Sequence, residues 1–357
     1  MNFDLNEIYS HFGVEKDVEP YGNGHINDTF IANTDGAYIL QRINTSIFKD
    51  VDGLMDNIVA VTDYLREQIA AAGGNPDRET LTVIRTNKNE NYYRCDDGEC
   101  FRVYKLIENA VSYDNVENPV QFYNAAKAFG KFQNMLAGFP AEKLNETIVD
   151  FHDTRKRIKH LEDAIAEDKC GRLSEVKAEV EFALARKDEM GVVMEGMEQG
   201  TIPVRVTHND TKLNNVLFDA ETDEDVCVVD LDTVMPGSML YDFGDALRFG
   251  ASSAEEDETN LDKVYFDLDK FEAFAKGFLG EVGECLTEKE KELLPVSALI
   301  MTYECGIRFL ADHINGDTYF KIHRENHNLD RARNQFKLVS DIEKKLSEMD
   351  KIVKKYL

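Results

Sequence analysis

In the first hundred residues, apolar positions alternate with polar ones over short runs, a pattern typical of β-strands. Such runs follow a glycine-bearing turn near residue 22, break at 33–36, and recur at 80–86, 89–95 and 99–107, the last two joined at Asp97–Gly98. Between them, apolar residues at 54, 58, 61, 65 and 69 have helical spacing, and Gly73–Gly74 predict its end. We therefore expect a small antiparallel sheet with one helix, forming a lobe over residues 1–107.

Beyond residue 119 the pattern changes to the period of amphipathic helices. Phe122, Ala126, Phe129, Phe132 and Leu136 share one helix face, and the segments 153–169 and 174–200 continue as helices with charged outer faces. The stretch 204–250 differs from these helical segments. Its pattern predicts three strands, separated by a polar loop and an acidic turn, followed by a Gly/Pro turn and a helix. The pattern as a whole predicts an α+β protein with a mainly helical second lobe over residues 108–357.

Composition narrows the class of protein. The chain has 357 residues, 43% of them apolar, which is enough for a sizeable core divided between two lobes. With 41 Lys and Arg against 68 Asp and Glu, the formal net charge is −27, which argues against binding to nucleic acid or to an anionic membrane surface. We expect no secretory signal and no run of about 20 apolar residues that could span a bilayer. Six scattered cysteines favour reduced thiols and a cytoplasmic location.

The polar loop within 204–250 carries the candidate chemistry. His208, Asp210, Lys212 and Asn215 follow one apolar run, and Asp230 closes the hairpin that comes next. In phosphoryl transfer an aspartate orients the attacking hydroxyl or accepts its proton, while an asparagine five residues later and an aspartate on the next strand hold Mg²⁺. These hard oxygen ligands suit Mg²⁺, whose charge offsets that of the phosphates. The spacing predicts a kinase, in which His208 supports the loop from beneath.

The chain also resembles a known group of enzymes. The catalytic block is similar to that of the aminoglycoside phosphotransferase and choline kinase-like superfamily, and the full set of blocks is similar to the N-acetylhexosamine 1-kinases within it. The matching blocks, in order, are 21–29, 38–48, 207–215, 230–238, 241–250 and 304–312. The resemblance implies a protein-kinase-like two-lobed fold and an ATP- and Mg²⁺-dependent transfer to the C1 hydroxyl of a small-molecule sugar.

By this resemblance Asp210 is the catalytic base, and Lys212 offsets charge on the γ-phosphate. Asn215 and Asp230 are the Mg²⁺ ligands, and Asp232 binds a second metal ion or a metal-bound water. The resemblance assigns the sugar to further residues besides Asp210, namely His25, Phe249, Arg308 and Tyr319.

For the nucleotide, the expected contacts lie in the first lobe. The turn Gly22-Asn23-Gly24 would cover the phosphates, and the adenine would meet the lobe junction at Tyr104, Lys105 and Ile107. The strand position that usually holds a phosphate-binding lysine carries Gln41, with Arg42 next to it and directed to the other face. In kinases an acidic residue of the neighbouring helix pairs with that lysine. Here Asp52, Asp56 and Asp63 are all candidates for this acidic residue.

Some alternatives stay open. Asp242-Phe-Gly looks like the metal-binding triplet of protein kinases, but Asp230 already fills that position, so we expect Asp242 to hydrogen-bond the catalytic loop instead. The acceptor could be choline, homoserine or an aminoglycoside, although the absence of Trp disfavours an aromatic cage for choline. A non-catalytic pseudokinase is the rival outside enzymes. GlcNAc and GalNAc are not distinguished, and we expect a monomer or weak dimer.

Overall fold

The computed structural model describes residues 4–14, 18–21, 27–32 and 37–357. The contacts within the chain divide it into two compact units. Unit 1 comprises residues 1–112, 138–149 and 215–236, and unit 2 comprises 113–137, 150–214 and 237–357. The predicted lobe boundary at residue 107 lies near the first of these changes. Unit 1 also contains two later segments, because the hairpin within 215–236 pairs with β-strand residues 110–111 and the Asn145 N–H in 138–149 donates to the Asn57 side chain at 2.8 Å.

Unit 1 is built on antiparallel strands. The bounds of its strands are β1 Val18–Pro20, β2 Asp28–Ala32, β3 Tyr38–Ile43, β4 Val83–Ile84, β5 Tyr93–Arg94, β6 Cys100–Lys105, β7 Ala110–Val111, β9 Val216–Asp219 and β10 Asp225–Val228. In the main sheet the order is β1-β2-β3-β6-β4, with β5 also paired to β6. A second sheet has the order β10-β9-β7. The predicted strands are confirmed, and the turn at Asp97–Gly98 joins β5 to β6.

The helices of unit 1 are α1 Leu5–Ser10, α2 Val51–Ala71 and α3 Pro76–Glu79. α2 is the predicted helix, and its N-cap Asp50 accepts a hydrogen bond from the Gly53 N–H. α1 was not predicted from the sequence, since six residues show too little of a helical period. It buries Ile8 and Tyr9 against Leu40 and Phe101 of the sheet, so a short helix is stabilised by packing rather than by propensity.

Unit 2 is mainly helical, with helices α4 Pro119–Met135, α5 Thr154–Glu167, α6 Lys177–Leu184, α7 Val192–Glu198, α8 Met239–Gly250, α9 Leu268–Val282, α10 Glu288–Ile314 and α11 His327–Tyr356. Strand β8 spans Arg205–Thr207, and β11, Met235–Gly237, lies at the unit boundary. The segment 174–200, predicted to be helical, contains two helices with a break between them. A 3-10 turn at Lys187–Glu189 and Gly191 separate α6 from α7, because glycine is a poor helix former.

Helix α10 concerns the expectation that no segment of the chain spans a membrane. By length and composition it could cross a membrane, although the sequence predicted no such segment. Within unit 2, however, 89% of its most apolar window is buried, as in the core helix of a water-soluble domain. α8 crosses α10 closely at Gly244. A side chain there would not fit, because its Cβ would collide with the Ser297 carbonyl oxygen. This close crossing places α8, which carries Asp242, in the interior of unit 2.

Candidate active site

The loop after β8 is held by the carboxylate of Asp242, in the first turn of α8. This carboxylate accepts hydrogen bonds from the backbone N–H groups of His208 (2.9 Å) and Asn209 (2.7 Å) and from the Gln133 side chain (2.5 Å). The Thr211 hydroxyl donates to the Asp242 carbonyl oxygen at 2.7 Å. Burial raises the pKa of Asp242, while its hydrogen bonds oppose that shift. Asp242 therefore shapes the loop, in agreement with the interpretation made from the sequence.

His208 lies beneath the same loop and is fully buried. Its ring packs edge-to-face against Phe129 (5.6 Å between centroids) and Phe132 (6.0 Å), and its Nδ1 accepts the Asp210 N–H at 3.3 Å. The ring is thereby fixed between the aromatic face of α4 and the loop. This position agrees with the prediction from the sequence that His208 supports the loop.

Asp210, by contrast, is partly exposed at the surface of the loop. Its carboxylate forms an ion pair with the Lys212 ammonium group at 2.8 Å. The negative charge of Asp210 raises the pKa of Lys212, so this amine stays cationic at neutral pH. Asp245 and Arg248 contribute further charge nearby and form their own ion pair at 3.0 Å. The structure thus brings the two predicted catalytic side chains together as a charged pair.

A second histidine supports the loop and was missed from the sequence. His152 contacts the carbonyl oxygen of Asn209 (3.2 Å) through Nε2 and the carboxylate of Glu304 (2.9 Å) through Nδ1. Thr154 donates to the same carboxylate at 2.6 Å. Burial alone would raise the pKa of Glu304, but these bonds lower it below its ordinary value. His152 stands in a loop with no motif around it, so nothing in the neighbouring residues predicts this contact.

Arg308 lies one helical turn after Glu304 on α10. Its guanidinium is 5.5 Å from the ring centroids of both Phe151 and Phe320, which flank it. It makes no hydrogen bond or ion pair with the described residues, and Glu304, one helical turn earlier, bonds His152 instead. The donors of Arg308 are therefore unused by the part of the chain that the structure describes.

The remaining predicted sugar contacts are more dispersed. Tyr319 is 67% exposed, and its ring lies 4.8 Å from that of Phe320, so it is close to Arg308. The Asp312 carboxylate fixes this segment by accepting from the N–H groups of residues 318–320. Phe249 instead lines a cavity of about 360 Å³ that Arg248 and Glu256 also border. His25 lies outside the described residues.

Unit 1 contains a cavity of about 200 Å³. Among the predicted cofactor residues, Gln41, Tyr104, Lys105 and Ile107 line it. Arg42 does not, because it points to the opposite face of β3 and forms ion pairs with Asp28 and Glu99. The position of Arg42 therefore does not support its predicted contact with nucleotide. Gly22, Asn23 and Gly24 lie outside the described residues.

Two of the predicted metal ligands, Asn215 and Asp230, flank the hairpin β9–β10. The Val229 N–H donates to the Asn215 carbonyl oxygen at 2.9 Å, which places Asn215 and Asp230 at the same end of this hairpin. Their side chains are the hard oxygen donors that Mg²⁺ prefers, so this pair fits the ion. The described residues contain no group of three His, Cys, Asp or Glu that could hold a metal, so further ligands would be phosphate oxygens and water.

Asp232 has a different environment from the one predicted. It is almost fully buried, its Oδ1 lies 2.5 Å from Nη1 of Arg102, and its Oδ2 accepts from the Asn27 side chain at 2.6 Å. A carboxylate engaged on both oxygens is poorly suited to a metal ion. Its position therefore does not support a second metal site. Arg102, which the sequence analysis did not single out, is its counter-ion.

The chain is similar to a known protein family and to several solved structures. Residues 17–274 match the phosphotransferase enzyme family APH. An aminoglycoside phosphotransferase from Alicyclobacillus acidocaldarius is similar in structure (TM-score 0.66, 13% identity, covering 99% of this chain and 98% of that one). A Plasmodium vivax ethanolamine kinase is also similar (TM-score 0.56, 13% identity, 89% and 82% coverage). So is an amicoumacin kinase in complex with AMP-PNP, Ca²⁺ and Ami (TM-score 0.57, 15% identity, 92% and 88% coverage).

These neighbours have the kinase-like α+β fold that the sequence predicted, and the prediction of fold class is confirmed. The family match covers well over half of the chain and includes the loop with Asp210 and the hairpin with Asp230. The chain therefore belongs to the APH phosphotransferase enzyme family.

Proposed function

We propose that this phosphotransferase uses ATP and Mg²⁺ to phosphorylate the C1 hydroxyl of N-acetylhexosamines, giving the sugar 1-phosphate. The main support is the arrangement around Asp210. A partly exposed carboxylate, paired with Lys212, lies in a loop that is braced by Asp242 beneath it and by His152 through the Asn209 carbonyl. Such bracing keeps a general base in position. A cytoplasmic enzyme, monomeric or weakly dimeric, is part of the same proposal.

In this proposal Asp210 accepts the proton of the C1 hydroxyl as that oxygen forms its bond to the γ-phosphorus. The bond from the γ-phosphorus to the bridging oxygen breaks, and ADP leaves. Lys212, which already pairs with Asp210, offsets the charge of the phosphoryl group during its transfer. Asn215 and Asp230 hold Mg²⁺, which when bound neutralises charge on the phosphate oxygens. The complex of the amicoumacin kinase with AMP-PNP and Ca²⁺ supports the use of a nucleotide and a divalent cation.

The choice of a neutral acceptor rests on charge. Arg308 presents unused donors between two aromatic rings, and burial together with the charge of Arg308 lowers the pKa of Arg157. Phe151 faces the Arg308 guanidinium and directly precedes His152, which contacts the Asn209 carbonyl oxygen of the catalytic loop. Two arginines repel choline, ethanolamine and polycationic aminoglycosides. They suit instead the hydroxyl and acetamido oxygens of a neutral sugar.

The decisive experiment measures ADP release by the purified protein with ATP and Mg²⁺. The acceptors are GlcNAc, GalNAc, choline, homoserine and kanamycin, each at the same concentration. We expect turnover with one or both N-acetylhexosamines. Release of phosphate from the product in mild acid identifies a 1-phosphate, because phosphate esters at the other hydroxyls resist this treatment. Turnover with choline or kanamycin alone contradicts the sugar proposal. No turnover with any acceptor, despite ATP binding, favours a pseudokinase.

Arg308→Met tests the sugar contact. We expect the KM for the sugar to rise about 10- to 100-fold, because a charged hydrogen-bond donor is lost, while the KM for ATP changes by less than about twofold. Both constants come from initial rates with the other substrate saturating. The matched control is Arg333→Met, since Arg333 is a surface arginine of α11 that pairs with Glu179 at 2.6 Å. An unchanged sugar KM in Arg308→Met excludes Arg308 from the acceptor site.

A further inference from the structure

The wall of the unit 1 cavity contains a cross-strand pair. Gln41 of β3 and Arg102 of β6 are directly opposite in the antiparallel register, so their side chains share one face of the sheet. Both line the cavity of about 200 Å³, together with Asp230. The strand position that would carry a lysine therefore has the neutral Gln41. The cation Arg102, on the neighbouring strand, stands directly opposite it.

The guanidinium of Arg102 is held in one orientation. Its Nε and Nη2 both donate to Oε1 of Gln41, at 3.0 and 2.8 Å, and the Gln41 amide nitrogen donates to the Thr29 hydroxyl at 3.2 Å. Its Nη1 lies 2.5 Å from the carboxylate of Asp232. The ring of Tyr104 lies 5.2 Å from the guanidinium carbon. Arg102 is thus a buried cation with a counter-ion and a fixed plane.

One polar group in this wall, the hydroxyl of Tyr104, has no hydrogen-bond partner among the described residues. Nη1 of Arg102 is engaged by the Asp232 carboxylate at 2.5 Å. Arg102 and Tyr104 are both more than nine-tenths buried and line the cavity. A buried hydroxyl without a partner is costly, and an acceptor-rich ligand in the cavity would satisfy it.

The other cations near the cavity are committed elsewhere. Lys105 lines it, but its ammonium group is largely exposed and pairs with Asp77 at 3.2 Å. Among the residues that the structure describes, helix α2 forms no ion pair with a strand of the sheet. Asp52 accepts from the Tyr92 hydroxyl, and neither Asp56 nor Asp63 pairs with a basic side chain among the described residues. Arg102 is the cation of the described wall that is buried and oriented.

We propose that Arg102, oriented by Gln41 and balanced by Asp232, binds the phosphate oxygens of the nucleotide, with the Tyr104 hydroxyl as a second donor. This inference rests on the proposed use of ATP. In it Arg102 replaces the strand lysine, Gln41 is a positioning residue, and Asp232 takes the place of the acid that a helix would provide. The side chains that bind the phosphates then come from strands β3 and β6 and, through Asp232, from the turn after β10. Helix α2 contributes none of them.

The test compares nucleotides that share an adenosine but differ in phosphates. Titration calorimetry of ATP, ADP and adenosine is carried out on the full chain and on Arg102→Met. We expect the Kd values for ATP and ADP to rise about 10- to 100-fold and that for adenosine to change by less than about twofold. Arg42→Met is the matched control, because Arg42 is ion-paired on the same sheet but lies outside the cavity wall; its affinities should stay unchanged.

Other outcomes overturn the inference. ATP affinity within about threefold of the original protein in a folded Arg102→Met excludes a phosphate contact. An equal loss for ATP and adenosine shows only a structural effect of Arg102. If the full chain itself binds no ATP, the proposed function fails, which is a separate result from either of these.

Arg102→Met leaves Asp232 buried without its counter-ion, and this variant could fail to fold. The double variant Arg102→Met/Asp232→Leu removes both charges, so no unpaired buried charge opposes folding and nucleotide binding can still be measured. We expect the same selective loss of ATP and ADP binding. Gln41→Leu should produce a smaller selective loss, because the cation remains but its plane is no longer fixed. Loss of adenosine binding in either variant, in parallel with ATP, contradicts the proposal.

Discussion

Asp210→Asn should remove turnover while leaving ATP binding nearly intact. Asparagine has the shape of aspartate but cannot accept the proton of the attacking hydroxyl, and general-base catalysis contributes about 10²- to 10⁴-fold to rate. We expect kcat, measured by ADP release at saturating sugar and ATP, to fall by that factor. The Kd for ATP, measured by titration calorimetry, should change by less than about twofold.

Asp163→Asn is a matched control for the same chemical change. Asp163 is an exposed residue of α5 that pairs with Lys159, and such surface pairs contribute about 0–1 kcal/mol. Its kcat should equal that of the original protein. A kcat for Asp210→Asn above about a tenth of the original value contradicts the proposed base. The partner variant Lys212→Met should lower kcat less than Asp210→Asn, since it removes charge compensation and leaves the base.

Asp242→Asn should both destabilise the protein and reduce turnover. The amide can accept some of the bonds from His208 N–H, Asn209 N–H and Gln133, but its NH₂ group then faces a buried donor. An unsatisfied buried donor costs about 1–3 kcal/mol. We expect a lower Tm and faster hydrogen exchange at the amides of residues 208 and 209, together with a fall in kcat because Asp210 is no longer held in position.

The metal dependence of the same variant separates two explanations. If Asp242 shapes the loop, the Mg²⁺ concentration for half-maximal rate stays the same while kcat falls. If Asp242 were a metal ligand, that concentration would rise and excess Mg²⁺ would restore part of the activity. Asp230→Asn, by contrast, should raise the Mg²⁺ requirement without changing exchange at residues 208 and 209.

Much of the fold could be predicted because its signals are local. α2 and α4 show the apolar spacing of helices over four or more turns, and the strands flanking Asp97–Gly98 show alternation joined by a tight turn. α1 was missed because six residues carry too little periodic signal. The break within 174–200 was not predicted, since helical propensity continues across a position where glycine and the surrounding packing interrupt the helix.

The candidate site divides in the same way. Asp210, Lys212 and Asn215 lie within six residues of each other, so their common loop is a property of the sequence, and the loop places Asp210 beside Lys212. The pairing of Asn215 with Val229 follows from a short hairpin. Contacts between distant segments had no such signal. His152 reaches the Asn209 carbonyl across a sequence separation of 57 residues, and nothing near His152 in the sequence indicates it.

The sequence by itself determined the order of elements, the excess of acidic residues and the local motif for phosphoryl transfer, because each depends on neighbouring residues along the chain. Only the tertiary structure decided which charges meet. It paired Arg102 with Gln41 across a separation of 61 residues and with Asp232 from the turn after β10. The physical reason is that a cross-strand register and a buried ion pair depend on how the sheet is assembled, and a buried charge without its partner is costly, so each partner holds the other in place.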